Sequence, residues 1–141
     1  MYLDTSYIAK FYIDEPESAK VRELVRKADF MQSSVLAFAE FHAVLHRGIR
    51  EGALSADNAR RLSERFSGHV ADGTWKLATV SESLLRRTSA LLLSAPRDLF
   101  IRTSDAIHLA TAQDVGEREV WTNDHHMLAA APYFGLTGRH I

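Results

Sequence analysis

Cysteine is absent from the 141 residues. That excludes disulfides and thiolate metal sites and makes a reducing cytoplasm the expected location. Charge of one sign is also lacking: 17 Lys and Arg stand against 18 Asp and Glu, a formal net charge of −1. So balanced a chain has no broad basic field for gripping nucleic acid, and a local cluster of Lys and Arg would have to attract such a partner. No apolar run approaches the ~20 residues that a membrane-spanning helix needs. The opening Met1-Tyr2-Leu3-Asp4 lacks the basic start and long apolar stretch of a signal peptide. Only three prolines interrupt the chain, and low-complexity segments, long linkers and internal repeats are missing. What is present is ordinary for a soluble globular protein, with 46% apolar and 25% charged residues, in a length that suits one domain over residues 1–141.

Short apolar runs alternate with longer helix-like stretches. Tyr2-Leu3 reads as a short buried strand running into Asp4-Thr5-Ser6, where a helix begins that ends near Asp14. Glu15-Pro16-Glu17 opens a second helix through Lys27, with proline in the first turn and acids beside the positive helix end. Phe30 to Val35 reads as a strand, Leu36 to Glu51 as a long helix stopped by Gly52, and Ser55 caps a helix to about Val70. Thr74 to Val80 alternates as a strand does, Ser81 caps a helix through Ser94, and Pro96 ends it. Thr103-Ser104-Asp105 starts a helix through Ala112, Glu119 to Trp121 is a strand, Asn123-Asp124 starts a short helix, and Phe134 to Thr137 is a last strand. Such alternation predicts an α/β fold with a central, mainly parallel sheet of four to five strands and helices on both faces. Ligands of such sheets sit in the crevice beyond the carboxyl ends of the strands.

Three aspartates fall where that crevice lies. Asp4 follows the first strand, Asp124 follows Glu119 to Trp121, and Asp105 lies in the first turn of its helix. Any one of them alone also reads as a helix cap. Asp105 has the strongest individual case: the helix around it, Asp105 to Ala112, is apolar nearly all round, and Asp105 shares a face with Leu109 and Ala112. Thr103 or Ser104 is left to supply the cap, and a carboxylate on an apolar face is costly unless a cation or donors meet it. Glu40 is more ambiguous, lying among Phe38, Phe41 and Val44 at the edge of a polar stripe with Arg47 and Glu51. His42 and His46, four apart on one helix, have no acid between them in the H-E-x-x-H arrangement and read as surface residues. His108, one turn from Asp105, either orients it or packs in the core.

Together these segments resemble a known family. Tyr2-Leu3-Asp4-Thr5-Ser6, followed by Lys10 and Glu15-Pro16-Glu17-Ser18, is similar to the start of PIN-domain proteins, above all the VapC toxins of type II toxin–antitoxin pairs. Ser33-Ser34-Val35 to Glu40 resembles the family's second motif, Ser104-Asp105-Ala106-Ile107-His108-Leu109-Ala110-Thr111-Ala112 its third, and Thr122-Asn123-Asp124 with Leu128 its fourth. The resemblance spans essentially the whole chain. It implies a three-layer α/β/α fold and an endoribonuclease that uses Mg2+ or Mn2+ to cut structured RNA (tRNA or rRNA) and so inhibit translation. It carries the family's acidic ligands over to Asp4, Glu40, Asp105 and Asp124, and its supporting polar residues to Thr5 or Ser6, Thr122 and Asn123. It further implies a VapB-like antitoxin as partner, a homodimer, and a variable segment over residues 52–96. Val21 to Val25 and Ala59 to Phe66 offer faces for such contacts, though core packing accounts for most of their apolar residues.

The chemistry agrees with such a residue set. Phosphodiester hydrolysis needs a nucleophilic water, in-line geometry and neutralised phosphate charge, and hard divalent cations held by carboxylates supply these. Asp4, Glu40 and Asp105 are expected around a first metal, with Asp124 on a second or in support. Lys10, Arg47 and Arg102 are candidates for the RNA backbone, and solvated surface charge is their plain alternative. Two other readings compete. One is a phosphatase of haloacid-dehalogenase type, which would need a second aspartate where Ser6 stands. The other is a catalytically inactive RNA-binding module.

Overall fold

The first strand, β1 (Tyr2–Leu3), is fully buried. Neighbouring strand residues point to opposite faces, so Tyr2 enters one hydrophobic cluster and Leu3 the other. The computed structural model, which describes residues 1–141, adds β2 (Met31–Ser34), β3 (Trp75–Ala78), β4 (Glu119–Trp121) and β5 (Thr137–Arg139). All pair in parallel, in the order β3-β2-β1-β4-β5. Strand order reverses direction at β1, which makes its carboxyl end the switch point where open sheets leave a crevice.

Helices α1 (Thr5–Tyr12), α2 (Ser18–Arg26), α3 (Leu36–Arg50) and α4 (Ala56–Ala71) pack on the face reached by Leu3, Met31 and Trp75. Helices α5 (Glu82–Ser94), α6 (Thr103–Asp114) and α7 (His125–Ala130) pack on the face of Tyr2 and Val120. The result is the expected three-layer α/β/α arrangement. Ser55 and Ser81 cap α4 and α5, each side chain accepting from the backbone N–H three residues on. No helix is long and apolar enough to cross a membrane.

Two expectations shift. Helix α2 starts at Ser18 rather than at Glu15-Pro16, because Glu17 takes a left-handed backbone conformation with φ 73°. The Ser18 hydroxyl closes the turn, donating to Ile13 O at 2.8 Å and accepting from Glu15 N at 2.9 Å. The last strand is not Phe134 to Thr137. Residues Ala131–Phe134 form a 3-10 turn with Pro132 near its start, Gly135 at φ 69° ends it, and only then does β5 begin. Phe134 is buried as part of the core rather than paired in the sheet. Core packing accounts for the apolar residues of the two segments considered for partner contacts, since Val21, Val25, Ala59 and Phe66 all lie in the core among α1–α4. The large apolar side chains left exposed include Leu93 and Phe100.

Candidate active site

Four elements aim one carboxylate each at the switch point. Asp4 follows β1 directly, Glu40 lies in the second turn of α3, Asp105 in the first turn of α6, and Asp124 caps α7 just after β4. All four line one pocket of ≈ 340 Å³, together with Thr5, Lys10 and Arg47.

Asp4 is 6% exposed. Its Oδ1 accepts from Ser6 Oγ at 2.6 Å and from Tyr7 N at 3.1 Å, and its Oδ2 accepts from Thr122 Oγ1 at 2.6 Å. Burial pushes its carboxyl above the usual range, and the Ser6 and Thr122 hydroxyls oppose that only in part. At Glu40, burial would also raise the carboxyl, but the hydrogen bonds of His108, Thr5 and Ser104 oppose it, and the group lies below its ordinary value. Thr5 Oγ1 donates to Glu40 Oε2, and His108 Nε2 lies 2.8 Å from the same oxygen. Asp105, 9% exposed, accepts from Arg102 Nε at 2.9 Å. Asp124 Oδ1 accepts from His126 N at 2.8 Å and Met127 N at 3.2 Å, while its Oδ2 accepts from Arg102. Partial burial would lift the Asp124 carboxyl, but these backbone donors and Arg102 bring it down instead.

The sequence profile of the PIN domain matches residues 1–132. The chain belongs to the PIN-domain family. Ribonuclease VapC46 of Mycobacterium tuberculosis is 36% identical to it over 139 residues, or 96% of this chain and 93% of that protein. The crystal structure of M. tuberculosis VapC20, a sarcin–ricin loop cleaving toxin, superposes with a TM-score of 0.72 at 16% identity, covering 92% of this chain and 93% of that one. VapBC2 from Rickettsia felis, bound to a DNA fragment from its promoter, gives a TM-score of 0.70 at 13% identity, covering 99% and 97%. These two structures speak for the fold. The VapC46 relationship places this PIN domain in the VapC-like branch.

The remaining candidates divide. Thr122 belongs to the site, since it donates to Asp4 and accepts from Asp124 N at 3.0 Å. Asn123 turns away and donates to Glu17 Oε2 at 2.7 Å, tying the loop after β4 to the turn before α2. Lys10 lines the pocket but is engaged by Pro16 O at 2.8 Å and Glu17 at 3.4 Å. Arg47 lines it without an ion pair. Arg102 stands between Asp105 and Asp124, its side chain 48% exposed. Two polar residues not assigned to the site from sequence also line the pocket, Glu15 and His108. His108 bonds Glu40, which no helical spacing could have indicated.

The donor set of the PIN domain, carboxylate and hydroxyl oxygens, suits a hard divalent ion. In this arrangement no three acidic or imidazole groups converge at metal-ligand spacing, and the Arg102 guanidinium supplies the positive charge between Asp105 and Asp124. Arg102 is long and half in water, so it can move aside, which uncovers the buried Asp105 carboxylate. The oxygen donors are of the kind that Mg2+ or Mn2+ takes, and Arg102 would have to leave Asp105 and Asp124 for an ion to reach those two carboxylates.

Proposed function

We propose that this PIN domain is an endoribonuclease that uses Mg2+ or Mn2+, and that it is the toxin of a toxin–antitoxin pair. The observation that carries the reading is one pocket lined by Asp4, Glu40, Asp105 and Asp124, side chains from four separate segments of the chain. Two of them, Asp4 and Asp105, are buried. A buried carboxylate is costly unless a cation or donors meet it, and a divalent ion in this pocket would do so.

Asp4, Glu40 and Asp105 would hold the ion, with Asp124 supporting it or holding a second. Bound there, it supplies an activated water and neutralises the phosphate during phosphodiester hydrolysis. The protein's own groups prepare the ground. Ser6 and Thr122 orient the two oxygens of Asp4, and Thr5 holds Glu40. Arg47, with Lys10 and Arg102 once released from their present partners, would supply the cations for the RNA backbone, which matters in a chain without net positive charge. Ser6, at the place where a phosphatase of the dehalogenase type needs a second aspartate, only donates to Asp4.

The name of VapC46 and the target of VapC20 support RNA, and structured RNA such as tRNA or rRNA, as the substrate. The VapBC2 complex supports a VapB-like antitoxin as partner, and a second copy of the chain completes the set as a homodimer. The decisive experiment measures manganese-dependent cleavage of a structured RNA by the wild type, Asp4→Asn and Asp105→Asn. Both variants are expected to lose at least about 100-fold in rate, as removal of charge stabilisation commonly does, with unchanged circular dichroism. Expression of the wild type, and not of Asp105→Asn, is expected to arrest growth. A wild type without manganese-dependent cleavage ends the nuclease reading, and an Asp105→Asn protein that cleaves at the wild-type rate removes Asp105 from the site.

A further inference from the structure

His108 sits on α6 one turn beyond Asp105 and is buried, yet its ring serves a different acid. Nε2 lies 2.8 Å from Glu40 Oε2, and Nδ1 lies 3.0 Å from the Tyr2 hydroxyl. The Tyr2 and His108 rings meet edge-on, 6.1 Å apart at an interplanar angle of 80°. Donor and acceptor roles follow from the groups themselves. An ionised carboxylate only accepts, so the proton on this ring belongs on Nε2. A neutral imidazole then presents Nδ1 as an acceptor, and the hydroxyl of Tyr2 is the donor facing it. Tyr2 is fully buried in the central strand, which makes it a rigid anchor. A line of hydrogen bonds thus runs from the sheet, through α6, to a glutamate on α3. Glutamate has three side-chain torsions, and without this line only the hydroxyls of Thr5 and Ser104 would restrain it.

We propose that His108 is a positioning residue that, anchored by Tyr2, holds the Glu40 carboxylate in the orientation the reaction uses. The catalytic consequence rests on the nuclease reading above, while the hydrogen-bond line stands apart from it. Groups that orient such ligands are worth about 10–100-fold in affinity or activity when removed.

The test compares wild type, His108→Leu, His108→Gln and Tyr2→Phe in manganese-dependent RNA cleavage, with Asp105→Asn as the reference for lost nuclease function. His108→Leu is expected to lower kcat by about 10–100-fold with KM for RNA little changed, because Glu40 acts at the reacting bond. His108→Gln, whose amide places an N–H near the position of Nε2, is expected to recover most of that loss, and Tyr2→Phe to fall between. Melting temperatures of the two His108 variants are expected to match, so a purely structural role would give them equal kcat. If the Leu variant does not fold, His108→Asn replaces it: its shorter amide reaches Tyr2 but not Glu40, and the same loss is expected. A second readout needs no activity. Two-bond 1H–15N spectra of the metal-free protein are expected to show His108 protonated on Nε2 and bare on Nδ1. The Nδ1–H tautomer, or a His108→Leu protein turning over like the wild type, overturns the proposal. A wild type without manganese-dependent cleavage would instead remove the nuclease reading, and the tautomer would still decide the hydrogen-bond line.

Discussion

Asp124 shows how one side chain serves two roles. Its Oδ1 caps α7 through His126 and Met127 N–H, and its Oδ2 faces Arg102 and the pocket. Asparagine keeps the capping oxygen and removes the charge, whereas alanine removes both. Asp124→Asn is therefore expected to unfold in urea close to the wild type, and Asp124→Ala to be less stable by about 1 kcal/mol, the usual cost of a lost cap. Both are expected to cleave RNA more slowly. Equal destabilisation of the two would mean that the charge, not the cap, holds this end of α7. The ion pairs of Arg102 enter this balance weakly, because its guanidinium is half in water.

At the scale of elements, the site depends on where short helices start. Helix α7 begins beside Asp124 and is held from behind by β5. A Cβ built at Gly138 would stand 2.9 Å from Leu128 Cδ2 and 3.2 Å from the Leu128 backbone. The side-chain tip can swing away, but the backbone can give way only if α7 moves. Gly138→Ala is expected to cost about 1–3 kcal/mol, as overpacking does. It should also slow cleavage more than Asp124→Asn alters folding, since it displaces the element that presents Asp124. Chemical denaturation paired with cleavage rates checks both parts, and an unchanged rate would show that α7 tolerates the shift.

At the scale of the molecule, folding gathers carboxylates that lie up to 120 residues apart, counting from Asp4 to Asp124. Like charges gathered in one pocket oppose folding unless a cation stands among them. A divalent ion that binds only the folded state relieves this. Manganese at 100 times its Kd is expected to add about 2.7 kcal/mol and to raise Tm by several degrees in calorimetry. Asp105→Asn should abolish the rise, and a flat Tm at millimolar manganese would count against a metal site. The aromatic core sets the alkaline limit. Burial pushes the phenols of Tyr2, Tyr7 and Tyr12 up, Tyr7 to about 12 and the other two further. The folded chain therefore keeps protons that the unfolded chain releases from about pH 10. Stability is whole below that pH and declines as pH rises toward the folded values. Urea midpoints measured from about pH 8 to 11 should fall, and Tyr12→Phe should flatten the decline.

Much of this architecture was legible in local patterns. Capping serines at Ser55 and Ser81, the helix stop at Gly52, and the alternation of strands with helices depend on neighbours within a few residues, and those interactions survive in the fold. So does the position of Asp105 on a helix apolar all round, which leaves a carboxylate that needs a partner. The turn at Glu17 and the late start of β5 were hidden, because each is set by a backbone conformation that sequence periodicity does not encode. What tertiary structure alone decided was pairing across the chain. Glu40, ambiguous on its own at the edge of a polar stripe, became part of the pocket only when α3 brought it to Thr5 and His108. Arg102 came to lie between two aspartates only when α6 and α7 converged. Residue type and short-range spacing determined which groups were available. Which groups meet depends on burial and long-range packing, whose energy exists only once the sheet has assembled.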